Sequence, residues 1–331
     1  MTFCRDGRII WAAMYDAISM GESMVAFEAQ TFGPLREVDD FKKWVGGAAD
    51  NFIITLARLG FNCGWFSRVG DDEFGRFITR WIRGEGVDVS RVKVDPSRPT
   101  GVFFVEHRST ESSFRCYFYR VNSAASAMTP DDIDEEYVAQ AKVIYPEGIL
   151  TYCGDSARRA VERLVDLGVK HDRIIVFDPN LRLTMASIET SRSVLVPLMQ
   201  KATYVLPGED ELRLLMDCED TSTAIARAHS MGIANLVIKA GAGGAILAPH
   251  GQEPKHVSSF SLKRPVSPMG AGDCFVGGFT AGLLKGQPLE TCVRWGNAVG
   301  AFCTMAHGPF HACPSMAELE KFLAGREEIS R

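Results

Sequence analysis

No stretch of this 331-residue chain approaches the roughly 18 consecutive apolar residues that a membrane-crossing helix needs. The opening "MTFCRDGRIIWAAMYDA" has a basic residue and a short apolar run, but lacks a full signal-peptide core and a clear cleavage site. Basic residues are not in excess either. Thirty-six Lys and Arg face 41 Asp and Glu, for a net charge of −5, which argues against a general nucleic-acid or membrane-surface binder. An anionic ligand stays open, because a few local Arg and Lys residues suffice for one. The nine cysteines are scattered and form no Cys-x-x-Cys pair, and the seven histidines show no ligand spacing. This disfavours a disulfide framework or a zinc ribbon and reads as reduced thiols in a cytoplasmic enzyme. Two nucleotide motifs are missing. There is no G-x-x-x-x-G-K-[ST], and in "KAGAGGAIL" (239–247) the glycines 241, 243 and 244 do not make G-x-G-x-x-G. Internal repeats, low-complexity tracts and charged linkers are absent too.

What is present is an alternation. "RIIVFD" (173–178), "ATYVLP" (202–207) and "NLVIKAG" (235–241) are apolar and β-branched, as buried parallel strands are. "SARRAVERLVDLG" (156–168) and "TSTAIARAHSMG" (221–232) carry apolar residues at helical spacing and end in Gly. Strand and helix in turn predict an α/β fold with a doubly wound sheet. One region breaks the rhythm. "TGVFFVEH" (100–107) and "SFRCYFYRV" (113–121) predict an antiparallel hairpin outside that sheet, placed as a small lid over the strand ends where ligands of such sheets bind.

The densest signal is "SPMGAGDCFVGGFTAGLL" (267–284), five glycines around a single acid, Asp273. It predicts a turn feeding a helix N-terminus. Without side chains, the amides of Gly270, Ala271 and Gly272 can face an anion, and the helix dipole adds positive potential. Asp273 is then placed to accept a proton while the amides hold developing negative charge. The alternative is that Asp273 caps the helix and the glycines serve close packing.

"GAGDCF" (270–275) resembles the C-terminal signature of the PfkB-type, ribokinase-like carbohydrate kinases. "GGAADNFIITLARLG" (46–60) resembles their N-terminal signature. "VGDDEFG" (69–75), "FDPNLR" (177–182), "PGEDE" (207–211) and "KAGAGG" (239–244) follow in the family's order, so the resemblance runs from about Ile18 to Leu323. It implies a mostly parallel sheet flanked by helices, with a small antiparallel β-lid from segments around 24–45 and 100–121. The implied layout is an extension over 1–14, with Met14 a candidate start, a kinase domain over 15–325 and a tail over 326–331.

The resemblance also implies roles. Asp273 matches the base that deprotonates a sugar hydroxyl for attack on the γ-phosphate of ATP, with the 270–273 backbone as anion hole. Gly33, Gly46, Gly47 and Asn51 match sugar-side positions. Lys239, Gly241, Gly244, Gly272 and Asn297 match the nucleotide side, and Glu211 matches the acid that positions hydrated Mg2+. Some family residues are replaced. Ser267 and Pro268 stand where many members have Asp and Thr, which puts a monovalent cation in question, and Gly208 stands where many have Asn. Ala26 replaces a hydroxyl-binding Asp. "TFGPLREVDDFKKWVGGAADN" (31–51) and "CYFYRVNSAASAM" (116–128) are similar to blocks of 2-keto-3-deoxygluconate kinases, with Phe118 in place of a Tyr. Strand alternation predicts that Phe118 and Arg120 share a face. Asp178, Asn180 and Arg182 share one too if their strand runs that far. Two converging arginines suit a carboxylate-bearing sugar acid. The expected activity is phosphorylation of 2-keto-3-deoxygluconate to its 6-phosphate, the alternatives being a fructokinase or other ketose or sugar-acid kinase, or a binding-only relative. Expected partners are a small sugar or sugar acid and ATP, with a homo-oligomer through the lid in view.

Overall fold

In a computed structural model, residues 2–3, 9–10, 14–108, 114–260, 262 and 265–325 are described. In chain order the strands used below are β1 (Tyr15–Met20), β2 (Met24–Ala29), β3 (Phe41–Gly46), β4 (Cys63–Phe66), β5 (Val102–His107) and β6 (Phe114–Tyr119). They continue with β7 (Ala141–Pro146), β8 (Ile174–Phe177), β9 (Tyr204–Val205), β10 (Asn235–Lys239), β11 (Ala245–Pro249) and β12 (Lys255–Val257). The main sheet has the order β12-β11-β10-β9-β8-β7-β1-β4. Neighbours from β10 to β4 pair in parallel, and β11 and β12 extend that sheet with antiparallel pairings. Ala17, Ile18, Val143, Ile144, Val176 and Val237 are fully buried, which is why these strands read as unbroken apolar runs.

Helices cover both faces. The helix Asp155–Lys170 buries Ala157, Ala160, Val161, Leu164, Val165 and Leu167, the stripe its sequence spacing predicts. Gly168 does not end this helix as expected. It lies within it, and a Cβ there would come within 2.4 Å of Ile144 Cδ1, so the glycine allows close seating on β7. The helix Thr221–Ser230 does stop before a glycine, Gly232, at φ +90°. β8 ends at Phe177, and Asn180 sits at φ +46°. The strand therefore does not reach Arg182, and a turn rather than strand alternation presents residues 178–182.

The lid is a separate four-stranded sheet, β6-β5-β2-β3. Its outer pairs, β5–β6 and β2–β3, are antiparallel hairpins, and β2 and β5 join them in parallel. Its small core is Met24, Ala26, Trp44, Phe103 and Val105. At the N-terminus, Thr2–Phe3 pairs with Ile9–Ile10 in a ribbon apart from both sheets. The rest of the expected 1–14 extension before Met14, and the expected tail over 326–331, lie outside the described residues. No helix among the described residues is long and apolar enough to cross a membrane.

Candidate active site

A cavity of about 980 Å³ opens between the lid and the C-terminal ends of the parallel strands. Four helices frame the site: α1 (Ala48–Arg58), α2 (Glu209–Met216), α3 (Ala271–Leu284) and α4 (Leu289–Cys303). The glycine-rich stretch serves close packing, one of the two readings its sequence allowed. Gly277, Gly278 and Gly282 let α3 lie against α1 and α4. A Cβ on Gly277 would meet Thr55 Cγ2 at 2.7 Å, and one on Gly282 would meet Cys292 Cα at 2.8 Å. Gly270 caps α3 at φ +76°, where a Cβ would sit 2.5 Å from Pro309 Cβ. Gly270 and Gly272 line the cavity; Ala271 does not, and its N–H is turned back to Pro268 O at 3.2 Å. The first-turn amides of Gly272 and Asp273 have no intrahelical acceptor, which leaves them free to face an anion.

Asp273 faces the cavity from the first turn of α3, and Asn51 Nδ2 donates to its Oδ2 at 2.7 Å. Burial pushes the Asp273 carboxyl up to about 6; the Asn51 bond and the Lys239 and Arg182 charges oppose the rise, and Asp178 adds to it. Asn51 itself is buried, and its buried Oδ1 has no partner among the described residues. Lys239, last residue of β10, forms an ion pair with Asp178. Burial works against the lysine charge, but Asp178 and Glu211 outweigh it and hold its pKa above the ordinary value. Glu211 Oε2 accepts from Gly208 N at 2.7 Å, and burial, then Asp178, raise its carboxyl.

The lid side is aromatic and basic. Phe118 stacks on Phe103 with ring centres 5.3 Å apart and borders the cavity. Arg120 follows the end of β6 rather than lying on it; it lines the cavity too, with its guanidinium on the buried Glu22 and 3.0 Å from Cys153 Sγ. Arg182 also lines the cavity, and among the described residues its side chain bonds its neighbour's carbonyl alone, Leu181 O, at 3.2 Å. Both arginines border one space, one neutralised by Glu22 and the other open.

Of the other expected site residues, Gly46, Gly47, Asn51, Glu211 and Lys239 line this cavity, whereas Gly33, Gly241, Gly244 and Asn297 do not. Gly33 donates its N–H to His107 O at 2.9 Å at the lid margin. Gly241 opens the single turn that follows Lys239. Gly244 is pressed against the end of β12, where a Cβ would lie 2.2 Å from Val257 O, and Asn297 Nδ2 donates to that same oxygen at 3.0 Å. These two act together as supports behind the loop. The sequence reading did not single out Glu147, which lines the cavity and whose Oε2 accepts from Glu22 N at 3.0 Å. Burial pushes its carboxyl up to about 8; Glu22 and Asp273 add to that, and Arg120 opposes it. A signal for it exists: "IYPEG" places a charge just past the end of an apolar strand, as "VFD" does for Asp178.

Comparison with known proteins places this architecture. The model of the pfkB family carbohydrate kinases matches residues 9–316. A 2-dehydro-3-deoxygluconokinase of Thermoproteus tenax is 35% identical over 97% of this chain and 98% of its own length. The enzyme of that name from Bacillus subtilis strain 168 is 33% identical over 95% and 97%. A solved structure described as a ribokinase II from E. coli in complex with ATP and Mg2+ superposes with a TM-score of 0.87, at 27% identity over 94% of this chain and all of that one.

Proposed function

The chain belongs to the pfkB family of carbohydrate kinases, and from that premise we propose that it transfers the γ-phosphoryl group of ATP to 2-keto-3-deoxygluconate, yielding the 6-phosphate. The observation that carries the substrate class is Arg182, a guanidinium on the cavity wall with no acid paired to it among the described residues, reinforced by Arg120 across the same space. A planar cation open to a cavity favours a carboxylate, which it binds through two parallel hydrogen bonds. The two relatives above carry a keto-deoxy-gluconate in their names, and gluconate is a sugar acid.

Asp273 accepts the proton of the attacking hydroxyl, and a pKa near 6 leaves it ionised at neutral pH yet basic enough for the task. Asn51 fixes its carboxylate through Nδ2. The first-turn amides of α3 hold charge developing on the transferred group, aided by Lys239. Glu211 and Asp178 would supply oxygen donors of the kind Mg2+ takes, Glu211 through water. Bound Mg-ATP brings the phosphoryl group and neutralises its charge, while the protein's own part is alignment and electrostatics.

The test is ADP formation from Mg-ATP with a panel of sugar acids and neutral ketoses, with the product's phosphorylated carbon identified by NMR. The proposal expects the keto-deoxy acid to be the best substrate and carbon 6 to carry the phosphate. Preference for fructose, or turnover of none of the panel, overturns it.

A further inference from the structure

A second group of functional side chains lies away from the catalytic cavity. Glu28 of β2, His107 at the end of β5 and His307 in the loop after α4 bring one ligand atom each to within 4.8 Å of one another. His107 Nε2 is 2.7 Å from Glu28 Oε1, and His307 Nδ1 is 3.1 Å from the same oxygen. None of the three lines the cavity around Asp273. The Glu28 side chain is only 3% exposed, yet its Oε2 has no partner among the described residues, nor has His107 Nδ1. A buried carboxylate oxygen without a donor is costly, and here both imidazoles sit on the other oxygen of the same carboxylate. His307 is half-exposed at 39%, which leaves a side open to water.

We propose that Glu28, His107 and His307 bind one divalent transition-metal ion, Zn2+ by preference, with water as fourth ligand. Two imidazoles and a carboxylate are a borderline donor set that suits Zn2+, whereas Mg2+ and Ca2+ ask for oxygen alone. The present N···O separations of 2.7 and 3.1 Å need to open by about 0.7 and 0.3 Å to surround a tetrahedral ion held at about 2.0–2.2 Å. The ion sits where it matters mechanically. Two ligands belong to the lid and the third to the loop that carries Pro309, against which Gly270 of the anion hole is packed. The site staples lid to body.

The test uses the full chain, stripped with a chelator and titrated with Zn2+ alone and then in excess Mg2+. Expected are one Zn2+ per chain, a raised Tm, and binding that Mg2+ does not displace. Glu28→Gln and His307→Ala should each weaken binding by at least about tenfold, His307→Ala lowering the metal-free Tm only slightly because Glu28 Oε1 keeps His107 Nε2. X-ray absorption at the zinc edge of the wild-type complex, which needs no variant, should show a shell of nitrogen and oxygen only. No stoichiometric binding, unchanged affinity in both variants, or sulfur in the shell overturns the proposal. Sulfur would move the ion to the thiols of Cys274 and Cys313, whose Sγ atoms are 3.3 Å apart.

Discussion

Replacing Asp273 by Asn should remove activity and add stability at once. The fold holds this carboxyl at about 6 against an ordinary 3.8, chiefly through burial. That rise corresponds to about 3 kcal/mol of penalty on the charged form. The carboxylate borders the open cavity, so screening reduces the figure to about 1–2 kcal/mol. A raised pKa sets the sign. Below the unfolded value both states are protonated and there is no penalty; it grows as pH rises toward 6 and is complete above it. Asn carries no charge and still offers Asn51 Nδ2 an acceptor. Asp273→Asn should therefore melt about 2 °C above wild type at pH 7.5 for a chain of this length, the gap closing as pH falls toward 4. Its kcat should fall by about 10²- to 10⁴-fold, since an amide cannot take the hydroxyl proton. Thermal melts from pH 4 to 8 beside an ADP-release assay read both effects. A variant less stable than wild type at neutral pH, a gap that does not change with pH, or kcat above about a tenth of wild type refutes the reasoning.

Three further outcomes follow from the same geometry. Wild-type kcat/KM should decline below about pH 6 with the slope of one proton as Asp273 is neutralised; a profile flat to pH 5 contradicts this. Arg120→Ala leaves Glu22, 1% exposed, without its cation and should cost about 3–5 kcal/mol in urea unfolding, at least half of it recovered by adding Glu22→Gln; no recovery would mean the pair is not the cause. Gly270→Ala drives a Cβ to 2.5 Å from Pro309 Cβ at a left-handed backbone position, and should lower both stability, by about 1–3 kcal/mol, and kcat; a fully active variant shows that the turn can shift freely.

Much of this was legible in the sequence, for definable reasons. Strands buried on both faces must be apolar throughout, so 173–178 and 235–241 announced a parallel sheet. A turn stripped of side chains around a lone acid announced Asp273 at a helix N-terminus. Local rules failed where long-range approach decides. Gly168 reads as a helix stop, yet the close pass of Ile144 is what requires it. Strand alternation holds to Arg182 only if the strand runs that far, and a turn at Asn180 intervenes. Glu147 meets the backbone of Glu22 from 125 positions away, and His307 meets Glu28 from 279. Such pairs leave no spacing to read, which is why seven scattered histidines gave no sign of a cluster.

The central claim is that this cavity phosphorylates a sugar acid whose carboxylate Arg182 reads. Its most direct test is kcat/KM for 2-keto-3-deoxygluconate and for fructose, with Mg-ATP, in wild type and Arg182→Ala. The account predicts that wild type prefers the acid, and that the substitution lowers kcat/KM for the acid by about ten- to a hundredfold, the loss of a charge-assisted hydrogen bond, while leaving fructose little changed. Preference for fructose in wild type, or an equal fall for both substrates in Arg182→Ala, would contradict it.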